Sequence, residues 1–400
     1  MAPFSINESF GAQDQKVIAP LYAKANLDFV SGKGSYLFDR EGNKYLDFIS
    51  GIATNALGHC HPVLVEAFKN QLEKLIHLSN LFPNYPQIEF AEKLLTVTGF
   101  DKAFFCNSGT EANEGAIKFA RKYFNRKGEK DRTQIVTFYN SFHGRTFGAL
   151  SATGQPALRE GFGDMPAGFT HVEWNDTEAL KAKVNEKTCA IMLEPLAAEG
   201  GILTPSAEMI KTIAELREKF GCLVITDEIQ TGVGRLGTFC GAAFYGIPAD
   251  IATFAKAIGA GLPLGAVLMK QLIADELRAG DHGTTFGGNP VACTGGLALV
   301  NIVSEPAFLE NVKARSAELK AGIAELIRKF GFLGEARGEG LLLGFTSERP
   351  VSEILAKARE EKLLVHRAGT NTVRFLPPLN VSSAEIGEAL KKMNKALSAL

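Results

Sequence analysis

Between residues 100 and 270, short apolar runs at 103–106, 134–138, 190–193, 223–226, 251–255 and 265–269 alternate with stretches whose apolar residues recur at helical spacing. Near-continuous apolar strands separated by helices predict a mainly parallel sheet joined by crossover helices, an α/β fold. Ahead of that block, 34–39 and 44–48 read as two short strands around the turn Arg40-Glu41-Gly42-Asn43, which predicts a small β element. Val63, Val65, Ala67, Phe68, Leu72 and Leu75, then Ile88, Phe90, Ala91, Leu94 and Leu95 after Pro86, carry a helical period through 62–98. Beyond Pro290 the pattern predicts helices over 291–304 and 308–330 and an apolar strand at 338–344. Another helix, a strand at 373–376 and a last amphipathic helix from Ser383 follow. The expected boundaries are an N-terminal arm and part of a small domain at 1–60, a large domain at 61–305, and a small α+β domain completed by 306–400.

Composition narrows the function classes. The 400 residues are 46% hydrophobic and 22% charged, too apolar for a disordered chain, and their 41 glycines cluster in short turn-like strings without a collagen period. Forty-three basic against 44 acidic residues leave a net charge of −1, which supplies no broad positive field for nucleic acid. The six cysteines lack Cys-x-x-Cys spacing and read as buried free thiols. Asn7, Glu8, Gln13, Asp14 and Gln15 interrupt the N-terminal arm, so no signal peptide is expected; the uncharged stretch 257–269 is too short and too rich in Gly and Pro to span a bilayer. A cytoplasmic protein without membrane association is the expectation.

Three segments carry candidate chemistry. The strand at 222–226 ends in Asp227-Glu228, which puts carboxylates at the carboxyl edge of the sheet, where open α/β sheets bind ligands; an acid capping the next turn is the bland alternative. Lys256 is the single charge in the run from Ile251 to Met269, and burial there would free a neutral amine to attack a carbonyl, whereas snorkelling would make it ordinary. The strand through Phe104-Phe105-Cys106 breaks at Ser108-Gly109-Thr110 and continues as a helix: either an anion site of free amides and hydroxyls, or a Ser/Thr cap with Glu111 in the first turn. The dinucleotide and mononucleotide glycine spacings are absent. Together, a phosphate cradle, an acid for a ring nitrogen and an isolated lysine are the parts that hold pyridoxal 5′-phosphate.

At this point the chain resembles the class III (ornithine/acetylornithine type) aminotransferases of pyridoxal-phosphate fold type I. The likeness runs in order through Gly51-Ile52-Ala53-Thr54-Asn55-Ala56-Leu57-Gly58-His59-Cys60-His61-Pro62, Ser79-Asn80-Leu81-Phe82, Asn107-Ser108-Gly109-Thr110-Glu111-Ala112-Asn113 and Ser141-Phe142-His143-Gly144-Arg145-Thr146. It continues through Asp227-Glu228-Ile229-Gln230-Thr231-Gly232, Phe254-Ala255-Lys256, Thr284-Thr285-Phe286-Gly287-Gly288-Asn289-Pro290 and Arg374-Phe375-Leu376-Pro377-Pro378-Leu379. The resemblance implies a large domain with a mainly parallel sheet of the seven-stranded type and a small α+β domain built from both termini. It implies that Lys256 forms the Schiff base with the cofactor and shuttles the proton, that Asp227 pairs with the pyridinium, and that Ser108, Gly109 and Thr110 hold the phosphate. Thr285 would reach that phosphate from a second subunit, which makes a homodimer with shared active sites. Phe142 would stack on the ring and Gln230 would contact its 3′-oxygen.

Two carboxylate-bearing substrates call for cations, and Arg presents a planar fork matched to them. By the same resemblance Arg145 would bind the donor's α-carboxylate and the distal carboxylate of glutamate, and Arg374 the α-carboxylate of glutamate or 2-oxoglutarate; alone, each would read as a surface ion pair. Glu199 sits where the family keeps a gate over that second arginine, although Ala197-Ala198 replaces the usual Gln-Gly ahead of it. Ile52 stands where takers of free ornithine tend to carry Tyr, and with Asn55 and Phe142 it borders the expected donor pocket. The implied reaction moves the δ-amino group of N2-acetylornithine to 2-oxoglutarate in arginine biosynthesis. N-succinylornithine, N-succinyl-diaminopimelate, ornithine and 4-aminobutyrate are the neighbouring donors. An aminomutase or a non-catalytic pyridoxal-binding regulator are the readings from other classes. His143 is expected to pack or support the site, and His59 and His61, with no partnered acid in view, read as structural, so no metal is expected.

Overall fold

The computed structural model describes residues 10–400; the first nine residues of the N-terminal arm, Asn7 and Glu8 among them, lie outside the described part. The turn at 40–43 closes as the pattern implies, because Asp39 accepts from Asn43 N and Nδ2 at 2.7 and 2.8 Å and Gly42 takes a φ of +80°. It joins β2 (Tyr36–Asp39) to β3 (Lys44–Asp47), and β1 (Phe29–Lys33), which the hydropathy pattern did not reveal, pairs antiparallel with β2.

The central block supplies β4 (Lys102–Cys106), β5 (Gln134–Phe138), β6 (Phe169–Val172), β7 (Thr188–Leu193), β8 (Leu223–Asp227), β9 (Ile251–Phe254) and β10 (Gly265–Met269). They form one seven-stranded sheet in the order β4-β10-β9-β8-β7-β5-β6. Every neighbour pair from β9 to β6 is parallel, and β10 runs antiparallel to both β9 and β4. The inversion follows from chain length: the segment 255–264 between β9 and β10 is shorter than the dozen or so residues a parallel crossover needs. β7 is buried along its whole length, and its alternate side chains feed different cores. Ala190 and Met192 pack with Ala112, Ala116 and Phe119 of the helix Gly109–Arg126, while Ile191 and Leu193 pack with Met209, Ile213 and Leu216 of the helix Ala207–Phe220. Burial on both faces is why these strands read as apolar runs rather than alternations.

The chain then adds β11 (Leu333–Glu339), β12 (Leu342–Ser347), β13 (Leu363–Leu364), β14 (His366–Ala368) and β15 (Thr372–Phe375). β11, β12, β15 and β14 make a second sheet in that order, and β13 joins β3 in parallel with Leu363 opposite Leu46, so both ends of the chain share the first sheet. The single strand expected at 338–344 is a correction: Gly340-Leu341 turns there between β11 and β12. Gly340 holds a φ of +58°, and a Cβ on it would fall 2.2 Å from Arg235 O. Arg235, fully enclosed, donates from Nη1 to Leu341 O at 3.1 Å and Pro377 O at 2.6 Å, and burial lowers its guanidinium pKa to about 9. Gly340→Ala is expected to cost about 2 kcal/mol or more, read as a lowered thermal midpoint, since it combines backbone strain with a clash on main-chain atoms that cannot swing aside.

Among the described residues no single helix is long and apolar enough to cross a membrane. All six cysteines are free; five are buried as expected, while Cys60 is exposed, because it sits in a turn with a φ of +52° rather than in an apolar run.

Candidate active site

The carboxyl ends of β4, β8 and β9 open onto a cavity of about 460 Å³. Asp227, the last residue of β8, lies at its floor, 3% exposed. One oxygen, Oδ2, accepts from His143 Nδ1 and Asn113 Nδ2, both at 2.8 Å, and the other accepts from Ile229 N at 3.1 Å. The Asn113 amide also donates to His143 O at 2.7 Å, and its oxygen accepts from Thr253 Oγ1 at 2.7 Å, so its hydrogen-bonding capacity is spent on holding Asp227 and its neighbour. Asn113 stood in a quoted motif without a role; its signal was a polar residue on the buried face of a helix. Glu228 faces away: it accepts from Thr231 Oγ1 and from Gly241 N and Ala242 N at a helix start, and burial raises its pKa. Of the two acids, one serves the cavity and the other serves the fold.

Lys256 lines the cavity from the short return between β9 and β10. Its φ of +47° is a left-handed conformation that a lysine adopts only when its surroundings impose it. Burial lowers its pKa and Arg374 adds to that, against the opposing pull of Glu199, Asp227 and Glu194.

The break after β4 is a helix cap that also leaves two main-chain amides free at the cavity. Ser108 caps the helix Gly109–Arg126, accepting from Glu111 N at 3.3 Å, and Glu111 reaches back to Asn107 N at 2.7 Å and Ser108 Oγ at 3.2 Å. The amides of Gly109 and Thr110 still precede the first intrahelical bond, from Ala112 N to Ser108 O, and both residues line the cavity. Phe142 and Arg145 line it as well, with the guanidinium carbon 5.8 Å from the Phe142 ring centre.

Arg374 has no solvent exposure. Its Nη1 donates to Glu199 Oε1 at 2.7 Å, Gln230 Oε1 at 2.9 Å and Ala198 O at 3.1 Å, while Nε and Nη2 are buried with no acceptor. Gln230 Nε2 donates to Glu199 Oε1 at 3.1 Å, so this glutamine bridges the ion pair. Burial pushes the Glu199 carboxyl up, but the charges of Arg374 and Lys256 and the hydrogen bonds from Arg374 and Gln230 outweigh it and hold its pKa at about 2. Ala197 is fixed by paired bonds with Leu203 at 2.9 and 3.1 Å, which keeps the loop in register without the usual Gln-Gly.

Four expected residues stand outside the cavity wall: Arg374, which lies behind Glu199 and Gln230, and Ile52, Asn55 and Thr285. Ile52 and Asn55 lie two residues before and one after Thr54, which does line it; Ile52 is 36% exposed, with a φ of +58° that is unusual for a β-branched residue. Asp47 holds that turn through Ile49 N and Ser50 N at 2.9 and 3.0 Å and pairs with His59 Nε2 at 2.8 Å. The acid that the sequence did not show beside His59 is therefore Asp47, on β3. Thr285 is exposed, next to Thr284, whose hydroxyl accepts from Asn107 Nδ2 at 3.2 Å.

The family model described as aminotransferase class-III matches residues 17–397. Acetylornithine aminotransferase of Caldanaerobacter subterraneus subsp. tengcongensis is 46% identical over 386 residues, which span 96% of this chain and 98% of that one. The crystal structure of N-acetylornithine aminotransferase from Stenotrophomonas maltophilia K279a is 34% identical, with a TM-score of 0.83 over 94% of this chain and 97% of that one. An ornithine aminotransferase from Toxoplasma gondii, with partial occupancy of PLP at its active site, superposes with a TM-score of 0.93 at 29% identity, covering 98% and 94% of the two chains.

Proposed function

Because the chain belongs to the class-III aminotransferases, we propose that it transfers the δ-amino group of N2-acetylornithine to 2-oxoglutarate, giving N-acetylglutamate 5-semialdehyde and glutamate in arginine biosynthesis. The observation that carries the reading is Arg374: a fully buried guanidinium with two nitrogens, Nε and Nη2, that have no acceptor, closed over by the Glu199 carboxylate. Such a cation, screened from the cavity only by Glu199 and Gln230, has little purpose beside a site that never meets a small carboxylate.

The residues fit pyridoxal 5′-phosphate. Free amides at Gly109 and Thr110 suit its phosphate, with Ser108 shaping the turn; Asp227, held by His143 and Asn113, suits a protonated ring nitrogen; and Lys256 suits its aldehyde. When bound, the cofactor supplies the carbonyl that takes up the amino group and a ring that withdraws electrons from the adjacent carbon. Asp227 would keep a proton on the ring nitrogen, and Phe142 would offer its ring as a stacking surface. Lys256 Nζ, its neutral form favoured by burial, removes the proton from the donor's δ-carbon and returns one in the second half-reaction. Arg145 orients the donor's α-carboxylate and then the distal carboxylate of glutamate. Glu199 and Gln230 cover Arg374 while the acylated donor is bound and release it for the α-carboxylate of 2-oxoglutarate. Ile52 and Asn55 border the donor's acyl end.

The large domain of this reading spans 61–305, with 1–60 and 306–400 forming the small one. Exposed Leu81, Phe82, Tyr85, Ile88 and Phe286 support a homodimer in which Thr285 serves the partner's phosphate site. Six free cysteines support a reducing, cytoplasmic setting. The test is spectral: the cofactor-loaded protein is mixed in single turnovers with N2-acetylornithine, N2-succinylornithine, ornithine, 4-aminobutyrate and glutamate. Fastest conversion by N2-acetylornithine, reversed by 2-oxoglutarate, is the expected result. Preference for another donor moves the substrate assignment, and conversion by none of them overturns the transaminase reading.

A further inference from the structure

The loop that carries Arg145 is tied to the helix Gly109–Arg126 by a directed chain of hydrogen bonds. Glu114 Oε1 accepts from Thr146 Oγ1 at 2.5 Å and from Ala149 N at 3.0 Å. A carboxylate only accepts, so the Thr146 proton is committed to it, and the 2.9 Å contact between the Thr110 and Thr146 hydroxyls must use the Thr110 proton. Thr110 Oγ1 in turn accepts from Arg145 N at 3.2 Å and Thr146 N at 3.3 Å. Fixing the charged end therefore fixes the sense of every bond up to the Arg145 backbone.

The two glycines that flank Arg145-Thr146-Phe147 make room for this chain. A Cβ on Gly144 would lie 2.2 Å from Thr110 Oγ1, and one on Gly148 would lie 2.3 Å from Glu114 Oε2. The spacing Gly144-Arg145-Thr146-Phe147-Gly148 thus admits one polar partner on each side of the arginine. The Thr110 hydroxyl, with its proton given to Thr146, has none to give an anion; Thr110 offers an anion its main-chain amide.

We propose that Glu114 is the positioning residue for carboxylate recognition: through Thr146 and Thr110 it sets the Arg145 loop against the helix whose N-terminus forms the anion cradle. Misplacing a binding arginine by even 1 Å is enough to weaken its grip strongly. The proposal rests on the reading of Arg145 as the partner of the donor's α-carboxylate.

The experiment compares two donors in single turnovers of the cofactor-loaded protein: N2-acetylornithine and N-acetylputrescine, which has the same ω-amine without the α-carboxylate. In Glu114→Ala the apparent dissociation constant for N2-acetylornithine is expected to rise roughly 10-fold, while N-acetylputrescine reacts within about twofold of the unmodified protein. Glu114→Gln, which keeps the Oε1 acceptor, should restore most of the loss. Thr146→Val, which breaks the chain without touching the charge, and Gly148→Ala, which displaces the carboxylate, should reproduce it. Loss on both donors alike, or on neither, overturns the proposal. Where the unmodified protein prefers a different ω-amino acid, that donor and its decarboxylated counterpart replace the pair, so the donor assignment and the role of Glu114 fail separately.

Discussion

On the proposed roles of Lys256, replacing it by alanine is expected to lower turnover roughly a thousand-fold or more, the joint loss of a covalent anchor and of the one lysine amine that lines the cavity among the described residues. Cofactor is still expected to bind through the Gly109 and Thr110 amides and Asp227, since none of these depends on the lysine. The two contributions separate by mass spectrometry after borohydride reduction. The unmodified protein should carry the reduced pyridoxyl mass on the peptide containing Lys256, and Lys256→Ala should bind cofactor yet carry that mass nowhere. Covalent label retained in the variant would remove Lys256 from its role. A second readout tests the environment. Because burial holds the Lys256 pKa below the ordinary 10.5, the neutral amine accumulates at lower pH than in a solvated lysine. The rate of covalent cofactor uptake by the apoprotein should therefore rise with pH and level off below 10.5. An inflection at the solvated value would mean the amine is not desolvated.

The strands of the central sheet were legible because burial on both faces favours apolar side chains, as in Ala190-Ile191-Met192-Leu193 of β7. β6 was not, for the converse reason. At the sheet edge it pairs with β5 alone, and Phe169-Thr170-His171-Val172 is too short and too polar to stand out. The union of β3 with β13 joins residues more than 300 apart in the chain, and no local period encodes such a pairing. The site divides in the same way. Asp227 and Lys256 announce themselves as charges at the ends of apolar runs. Asn113, Glu114 and Asp47 act through geometry that appears only when helix, loop and strand meet. Gln230 shows what a motif alone leaves out: it lines the cavity, and its amide also lies between Glu199 and Arg374, a bridge that only the folded chain displays.

That bridged pair gives the second large effect. Glu199→Ala leaves the Arg374 charge enclosed with only Ala198 O and Gln230 to meet it; with 26% of the Glu199 side chain exposed, the cost lies below the about 3–5 kcal/mol typical of breaking a fully buried pair. A clear fall in thermal midpoint is expected, and it should shrink when glutamate or 2-oxoglutarate is added, because either supplies the missing carboxylate. Kinetically, the loss of the gate should favour glutamate over the acylated donor, since Arg374 is then permanently open to an α-carboxylate. Arg374→Ala should do the reverse, slowing the glutamate half-reaction roughly a hundred-fold or more while the donor half-reaction changes little. The pair also sets an acid limit. The Glu199 pKa is lowered from 4.5 to about 2, so its stabilising contribution is complete above about pH 4.5 and is lost as the pH falls through about 2. Glu199→Gln, which cannot ionise, should lose that part of the acid dependence. If Glu199→Ala and Arg374→Ala slowed both half-reactions equally, the pair would be a structural brace and the two-substrate gate would have to be sought elsewhere in the cavity.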